Sequence, residues 1–377
     1  MSTPLPLVRH FRKLKDPRLD RRKLHSLEAI LVIAICAVIA GANDFQQVAL
    51  FGQKRKDWLK RFLELPNGIP SHDTFERVFA RLDPLTFQEC FAGWMNAWYA
   101  RLTGKHLAID GKAVRGSASP RKGFRCLHLV NVWATQANLC LGLAACDADS
   151  NEITAIPRLL ALLDLEGALV TIDAVGCQKK IAQQVIDGGG DYLLVVKENQ
   201  EKLYQEIQAC FERAAQHDWK GVTNSYDEKD DLGHGRRENR CCLVIENPKG
   251  MKELDNWPRL RVIGMCQSIR KEGSGASTFH IRYFIGSKRA KARYYAQRIR
   301  GHWRVENNLH WQLDVTFRED DGRVRHRTAA SNFAVLRRLA LNLAKHEDTE
   351  MSIAKKRFAA ALDTDYLEKI LEVGKIG

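Results

Sequence analysis

The stretch HLAIDGKAVRGS (residues 106–117) starts as an apolar run and turns, after Asp110, into a basic segment flanked by glycines. Alternating faces along HLAID put His106, Ala108 and Asp110 on one side of a strand. We interpret HLAID as the first strand of a core sheet and GKAVRGS as the turn that leads the chain away from it. The carboxylate of Asp110 is then predicted to lie at the end of a strand, where a ligand can reach it.

The segments that follow predict the rest of a mixed sheet. Turn-forming residues separate three short runs with strand character, KHLAID, CLHLVNVWAT and LCLGLAACDA. Helix, strand, helix and strand then follow in the order ITAIPRLLALLDLEG, ALVTID, QKKIAQQVIDGGG and DYLLVV. The order β-β-β-α-β-α-β predicts an α/β fold, with a mixed sheet, helices on its faces and parallel crossovers in its second half.

Changes in pattern divide the chain into regions of different character. The α/β core is predicted to begin in residues 101–216, after a helical region in residues 1–100. Residues 217–290 are predicted as a β-rich insertion, residues 291–345 as a late helix with the end of the core, and residues 346–377 as a helical tail. The short amino-terminal helices carry many Lys and Arg residues. This pattern fits a helix-turn-helix DNA-binding module and also a plain bundle with a basic surface.

The composition favours a polyanionic partner. The chain has 377 residues and carries 59 Lys and Arg against 45 Asp and Glu, a formal charge of +14, which suits nucleic acid or an anionic membrane surface. The most apolar run, Ala29–Gly41, reaches only about two-thirds of the roughly 20 residues that a spanning helix needs, so we predict a core helix. No secretory signal pattern opens the chain and its ten cysteines form no C-x-x-C pair, which predicts a cytoplasmic protein.

Two predicted strands end in an aspartate. LAID delivers Asp110 and LVTID delivers Asp173, and small or flexible residues follow each of them. Ligand sites in α/β sheets gather at the carboxyl ends of strands, so the two carboxylates are natural partners in one cation site. A strand-end aspartate is also a common cap of a turn, which is the structural alternative for each one alone.

A third carboxylate, Glu306, lies in the predicted late helix. At 100° per residue, several apolar and aromatic positions fall within about 60° of it, namely Ile299, His302, Trp303, Leu309, His310 and Leu313. Glu306 is therefore predicted to face the apolar side, at a cost of several kcal/mol unless cations, protonation or the neighbouring histidines offset it. The alternative is a glutamate at the margin of the core, paired with Arg298 or His302. Three other acidic residues are alternatives to Glu306 as the third carboxylate of the site. They lie in REDDGR, which we predict to be an exposed turn, and they are Glu319, Asp320 and Asp321.

Asp110, Asp173 and Glu306 together supply hard oxygen ligands from two strand ends and one helix. Such a set suits Mg²⁺, which keeps several waters and leaves room for substrate phosphates. Two ions roughly 3.5–4 Å apart can activate a water or a 3′-hydroxyl on one side of a phosphodiester and stabilise the leaving oxygen on the other. The residues therefore predict two-metal phosphoryl transfer on a basic protein.

Six ordered motifs run through the chain: AIDGKAVRGS, DSNEITAIP, TIDAVGCQKKIA, GGDYLLVVKENQ, HGRRENR and HWRVENNLHWQLDV. Together they resemble the DDE insertion-sequence transposases, specifically the ISAs-type, H-repeat-associated branch, over nearly the whole chain. The resemblance implies a ribonuclease H-like core, a β insertion before the last catalytic helix, and DNA strand cleavage and transfer with Mg²⁺ or Mn²⁺. It also implies that Asp110, Asp173 and Glu306 are the three metal-binding acids and that a dimer acts on double-stranded DNA.

Basic and polar residues beside these acids are candidates for DNA contacts. Lys112 and Arg115 follow Asp110 and are placed to bind phosphates, because charge-assisted hydrogen bonds to phosphate are strong. A solvated loop is the alternative for both. Three further candidates follow the strand DYLLVV, namely Lys197, Asn199 and Gln200.

Further candidates lie in the insertion and in the late helix. HGRRENR fits either DNA contacts or a salt-bridged hairpin, and its candidates are His234, Arg236 and Arg240. Many relatives of the wider group carry a Tyr, an Arg and a Lys around the catalytic glutamate, where this chain has Ile299, His302 and Leu313. The residues available here to take over those DNA-end contacts are Arg300, His302, Trp303 and Arg304.

The leading expectation is a DNA transposase that hydrolyses a strand at an element end and uses the freed 3′-hydroxyl to attack target DNA. A nuclease with the same core but without strand transfer is the closest enzymatic alternative. A catalytically idle DNA-binding protein derived from a transposase is the alternative from another class. Acids at all three positions favour an enzyme.

Overall fold

The computed structural model describes residues 6–99, 105–118, 123, 125–147, 151–233, 236–272 and 277–373. The strands in these ranges are β1 (His106–Val114), β2 (Leu127–Ala134), β3 (Leu139–Ala145), β4 (Leu169–Ile172), β5 (Asp191–Val196), β6 (Thr223–Gly233), β7 (Arg236–Glu246), β8 (Val262–Glu272) and β9 (Thr278–Gly286). They form one sheet in the order β3-β2-β1-β4-β5-β9-β8-β7-β6. β1 is antiparallel to β2 and parallel to β4, and β4 is parallel to β5. The predicted α/β fold with a mixed sheet and flanking helices is confirmed.

Helices surround this sheet. They are α1 (Leu27–Ile39), α2 (Phe45–Lys54), α3 (Lys56–Leu59), α4 (His72–Arg81), α5 (Pro84–Tyr99), α6 (Glu152–Leu160), α7 (Lys179–Asp187), α8 (Glu201–Gln216), α9 (Ala292–His302), α10 (Arg327–His346), α11 (Ile353–Leu362) and α12 (Thr364–Glu372). The helical character predicted for the amino-terminal region and for the carboxyl-terminal tail is therefore present.

The amino-terminal helices share the core of the sheet. α1 and α4 pack against α10, and α5 packs against β3. α1 is apolar on every side and is buried from Ala29 to Ile39, which explains its lack of a polar face. It is 13 residues long, and no helix within the described ranges has the length and apolarity needed to cross a bilayer.

β1 differs from the prediction in its length. It continues four residues past Asp110 to Val114, because β2 offers a ladder along the whole stretch from Leu107 to Val114. The predicted turn at GKAVRGS is therefore wrong in its position. β4, in contrast, pairs with β1 only as far as Ile109 and Ile172. Asp110 thus lies inside its own strand but at the level where the neighbouring parallel strand ends.

The predicted β-rich insertion extends the core sheet. β9 pairs with β5, and β8, β7 and β6 follow as an antiparallel arm. α9 comes directly after this arm and packs on β6 and β7 as well as on β1 and β4. One helix therefore spans from the arm to the strands that carry the predicted acids.

Candidate active site

Parallel pairing places Asp110 and Asp173 side by side. Ile109 and Ile172 are partners in the β1–β4 ladder, so the two aspartates that follow them occupy the same level at the carboxyl end of β4. Asp173 Oδ2 lies 3.2 Å from Lys197 Nζ. Asp173 Oδ1 is buried and has no hydrogen-bond partner in the part of the chain that the structure describes.

The third predicted acid, Glu306, lies beyond the carboxyl end of α9. Glu306 begins a π-helical segment, Glu306–His310, which a second one, Gln312–Thr316, follows. The buried positions here recur every four residues, at Val305, Leu309, Leu313 and Phe317.

Glu306 itself is exposed, so the prediction that it faces the apolar side is wrong. The wider π turns change the angular step per residue on which that prediction depended.

The acids interact through their charges. Burial is the largest cause that raises the pKa of Asp110 to about 7. The carboxylates of Glu152, Asp173 and Glu306 add to this rise by repulsion. The structure therefore brings Asp173 and Glu306 within electrostatic reach of Asp110, with Glu152 as an additional acid.

The donor chemistry of this site fits a divalent cation. Within the described ranges, no three His, Cys, Asp or Glu side chains are already gathered at metal-ligand spacing. The site nevertheless has an excess of carboxylate charge and the unpartnered, buried Asp173 Oδ1. Hard oxygen ligands with surplus negative charge are what Mg²⁺ and Mn²⁺ bind.

Lys112 is buried instead of facing DNA. Its Nζ lies 2.6 Å from Asp314 Oδ1, 3.4 Å from Asp320 Oδ1 and 3.7 Å from Glu319 Oε2. An ammonium group enclosed by three carboxylates cannot reach a phosphate on the surface. The predicted phosphate contact of Lys112 is therefore corrected to a structural ion-pair role.

Glu319 also departs from its predicted exposure. Its side chain is fully buried and pairs with Arg338 at 2.7 Å and with Arg337 at 3.9 Å. Burial alone would raise the pKa of Glu319, but the two guanidinium groups outweigh burial and lower it to about 2. Glu319 therefore lies in the core, paired with arginine, and cannot replace Glu306 as a ligand of a cation.

His302 is buried as well. Its Nδ1 shares a 2.9 Å hydrogen bond with Thr171 Oγ1, which also meets His106 Nε2 at 3.0 Å. Burial lowers the pKa of His302 to about 4, so the ring is neutral near pH 7. The predicted DNA contact of His302 is wrong, because this ring joins α9 to β4 beneath the surface.

The neighbouring residues on α9 do reach the surface. Arg300 is exposed and pairs with Asp231 of β6 at 2.9 Å, and Arg304 is exposed. Trp303 is half-buried, and the Arg282 guanidinium stacks 4.7 Å from the centre of its ring. Arg282, Arg300 and Trp303 line the space between the arm and Glu306.

Two cavities meet at this junction. The larger, of about 800 Å³, lies between the arm and α9, and its lining includes Arg240, Arg282, Arg300, Trp303 and Glu306. The second, of about 640 Å³, is lined by Asp173, Lys197 and Asn199 among others. Both cavities share His280, Arg282 and Trp303. Glu306 and Asp173 therefore line two adjoining cavities whose walls also carry basic side chains.

The residues after β5 have two different environments. Lys197 is half-exposed beside Asp173. Asn199 Nδ2 donates to the Ala174 carbonyl at 3.0 Å, and Gln200 Nε2 donates to the Cys177 carbonyl at 2.9 Å. The two amides hold the segment that follows Asp173, which leaves Lys197 as the group best placed for a phosphate.

The other predicted DNA contacts lie further out. The side chain of Arg115 is 83% exposed, and its backbone N–H donates to Asp320 Oδ1. Arg240 pairs with Asp231 at 2.7 Å and with Glu238 at 3.0 Å, which supports the salt-bridged hairpin as the interpretation of HGRRENR. His234 lies outside the described residues, and Arg236 is placed only by its backbone, at the start of β7.

Two further groups lie next to Asp110: His310, which the sequence analysis placed only beside Glu306, and Glu152, which it did not single out. His310 Nδ1 lies 3.6 Å from Asp110 Oδ2, and burial lowers the pKa of His310 to about 3. Glu152, at the start of α6, approaches the same aspartate and pairs with His128 at 2.8 Å. Its signals in the sequence were its place in the motif DSNEITAIP and beside a predicted helix start, and a glutamate there is common in ordinary helices.

Two family models match this chain. Residues 101–343 match the family described as Transposase DDE domain, and residues 8–95 match DDE_Tnp_1-associated. The chain is 38% identical to "Putative transposase YncI" of Escherichia coli O157:H7 over 97% of this chain and 94% of that protein. It is 35% identical to "H repeat-associated putative transposase YhhI" of Escherichia coli (strain K12) over 97% of each. Among solved structures, a piggyBac transposase synaptic complex with hairpin DNA is similar at a TM-score of 0.37 and 11% identity, covering 98% of this chain and 78% of that one.

Proposed function

Because the chain belongs to the DDE transposase family, we propose that it cuts DNA strands at insertion-sequence ends and joins them to a target. The observation that carries this proposal is the placement of Asp110 and Asp173 side by side at the end of β4, within electrostatic reach of Glu306. Family membership supplies the class of reaction, and the three acids supply the chemistry that the class requires.

Asp110, Asp173 and Glu306 are the residues that would hold Mg²⁺ or Mn²⁺. When bound, two such ions activate a hydroxyl nucleophile and stabilise the leaving oxygen of a phosphodiester. Asp110 contributes a carboxylate whose raised pKa reflects the unneutralised charge around it, and a cation would favour its ionised form.

The reaction consists of two phosphoryl transfers. In the first, the oxygen of a water attacks the phosphorus and the bond to the 3′ oxygen breaks, which leaves a 3′-hydroxyl and a 5′-phosphate. In the second, that 3′-hydroxyl attacks a phosphodiester of the target, and the proton it loses balances the one gained by the departing 3′ oxygen. The chain's part in both is to position the DNA and to stabilise charge.

Basic groups around the two cavities would hold the DNA backbone. Lys197 stands beside Asp173, and Arg282, Arg300 and Trp303 line the space next to Glu306. Because the chain carries a net charge of +14, we expect it to bind double-stranded DNA strongly and with a marked dependence on salt. We also propose that two copies of the chain form a homodimer that holds two DNA ends together. In the same proposal the amino-terminal helices bind DNA, and the protein is located in the cytoplasm.

The experiment uses the purified full chain, a labelled duplex of the element end, a second DNA and Mg²⁺. Asp110→Asn, Asp173→Asn and Glu306→Gln are compared with Asp187→Asn, an exposed aspartate at the end of α7. Metal-dependent joining that the first three variants lose and the control keeps supports the transposase. Nicking without joining indicates the nuclease alternative. Binding without cleavage in the unmodified chain contradicts the catalytic proposal and indicates the idle DNA-binding alternative.

A further inference from the structure

Two cysteines face each other across neighbouring strands of the arm. Cys242 on β7 and Cys266 on β8 are partners in a ladder whose register runs without a shift. Just beyond the strand ends, the Asn247 N–H donates to the carbonyl of Arg261 at 2.7 Å, so this pair belongs to the hydrogen-bonded type. The two types alternate along an antiparallel ladder, and Cys242 is an odd number of residues from Asn247. Cys242 and Cys266 therefore form a non-hydrogen-bonded pair.

This type of pair brings two side chains close enough for a covalent bond. Its Cα atoms lie about 4.5 Å apart, within the span of roughly 4.4–6.8 Å that a disulfide bridges. The thiols already interact, because a hydrogen bond with Cys266, together with burial, raises the pKa of the Cys242 thiol. A bond between the two sulfurs thus requires side-chain rotation and no movement of the strands.

The two thiols differ in their access to solvent. Cys242 is only 1% exposed, whereas Cys266 is half-buried. Both line the cavity of about 800 Å³ between the arm and α9. A small oxidant that enters this cavity meets the sulfur of Cys266 first, with the sulfur of Cys242 beside it. An accessible thiol next to a second, resolving thiol is typical of redox-sensing cysteines.

The neighbouring Cys241 has a different environment. Alternation along β7 puts its side chain on the opposite face of the arm from Cys242. There its Sγ lies 3.4 Å from the side-chain oxygen of Gln267, which is its partner on β8. Within the described ranges, no two other cysteines are partners in a ladder. Cys242 and Cys266 are therefore set apart by geometry.

We propose that Cys242 and Cys266 are a redox-active thiol pair that a peroxide converts to a disulfide and a dithiol reduces again. This inference goes beyond the proposed function and does not depend on it. In a reducing compartment, where cysteines remain free, such a bond forms transiently.

The oxidation takes place in two steps. The sulfur of Cys266 attacks one oxygen of hydrogen peroxide and the O–O bond breaks, which gives a sulfenic acid on Cys266 and one water. The sulfur of Cys242 then attacks the sulfur of Cys266, the S–O bond breaks, and the hydroxyl leaves with the Cys242 proton as a second water. Two thiols are oxidised to one disulfide while one peroxide is reduced to two waters.

The test treats the reduced full chain with a small molar excess of hydrogen peroxide. Thiols are then counted in denaturant, and disulfide-linked peptides are identified by mass spectrometry. The chain should lose two of its ten thiols and the mass of two hydrogen atoms. One linked peptide should join Cys242 to Cys266, and dithiothreitol should restore both thiols.

Cys266→Ser and Cys242→Ser should each abolish the linked peptide. Cys241→Ser is the matched control, and it should lose two thiols and give the same linked peptide as the unmodified chain. Circular dichroism checks the fold of each variant, and the peptide map of the unmodified chain decides the proposal even where a variant does not fold.

Three results would overturn the proposal. In the first, the treated chain keeps all ten thiols. In the second, its linked peptides join other cysteines. In the third, Cys266 is oxidised to a sulfinic acid while Cys242 remains a thiol. DNA cleavage is not measured here, so each of these results leaves the proposed function intact.

Discussion

Glu319 Oε1 and Arg338 Nη1 form an ion pair of 2.7 Å in which both side chains are fully buried. The pair joins the segment after the π-helical turns to α10, and Arg338 Nε also donates to Asn131 Oδ1 of β2 at 2.7 Å. Because Lys112 lies 3.7 Å from the same glutamate, the network reaches to within two residues of Asp110. A charge network in the core thus supports the strand that carries the first acid.

Glu319→Gln should destabilise the chain by about 3–5 kcal/mol, because it leaves the buried Arg338 without its counter-charge. Urea unfolding at pH 7 measures this loss. The same network predicts a pH dependence. Glu319 has a pKa of about 2 in the folded chain against an ordinary 4.5, so its contribution is complete above pH 4.5 and is lost as the pH falls towards 2. A Glu319→Gln variant that unfolds in urea like the unmodified chain at pH 7 would contradict the assignment.

Asp110→Asn should stabilise the metal-free chain while it abolishes strand cleavage. The pKa of Asp110 is about 7 when folded against an ordinary 3.8, so ionised Asp110 lowers stability as the pH rises through this window. At pH 8 in EDTA we expect a gain of about 1–2 kcal/mol in the unfolding free energy, allowing for solvent screening. Thermal unfolding at pH 8 and at pH 3.5 checks this, because the gain should be small at the lower pH, where Asp110 is protonated in the folded chain and mostly protonated in the unfolded chain.

Lys197→Ala should weaken DNA binding equally for all sequences. Its ammonium group lies beside Asp173 on the wall of a basic cavity, where a phosphate contact carries no base information. We expect the salt dependence of log K to fall by about one unit of slope. Fluorescence anisotropy at several salt concentrations measures it, with Lys220→Ala as the control at an 84% exposed lysine outside the site. If log K depends equally on salt in the two variants, Lys197 does not contact the DNA backbone.

Thr171→Val should destabilise the chain and disturb the placement of Glu306. The hydroxyl of Thr171 is the shared hydrogen-bond partner of His106 Nε2 and His302 Nδ1, and its loss leaves both buried ring nitrogens without it, at a cost of about 1–3 kcal/mol for each unsatisfied group. Chemical unfolding measures the cost, and Mn²⁺ affinity reports the shift of α9. Thr171→Ser keeps the hydroxyl and should restore both, so a serine variant as impaired as valine would argue against the hydrogen bonds.

Local patterns predicted the sheet and the placement of two acids in it. The runs LAID and LVTID have the apolar character that burial in a sheet requires, and parallel pairing of β1 with β4 brings Asp110 and Asp173 to one level, although β1 continues beyond Asp110. The β-rich character of residues 217–290 was visible for the same reason, because strand signals depend on neighbouring residues only.

Long-range contacts decided the rest. The exposure of Glu306 depends on π-helical turns that a regular helical period does not encode. The burial of Lys112 and of Glu319 depends on Asp314 and Arg338, which the chain brings close only when α10 packs on the sheet. By itself, the sequence determined which carboxylates are available and which elements carry them. Only the tertiary structure decided which charges are neutralised inside the core and which lie near Asp110, as Glu152 does over Gly111. The physical reason is that electrostatic energy depends on distances between charges, and the order of residues does not contain those distances.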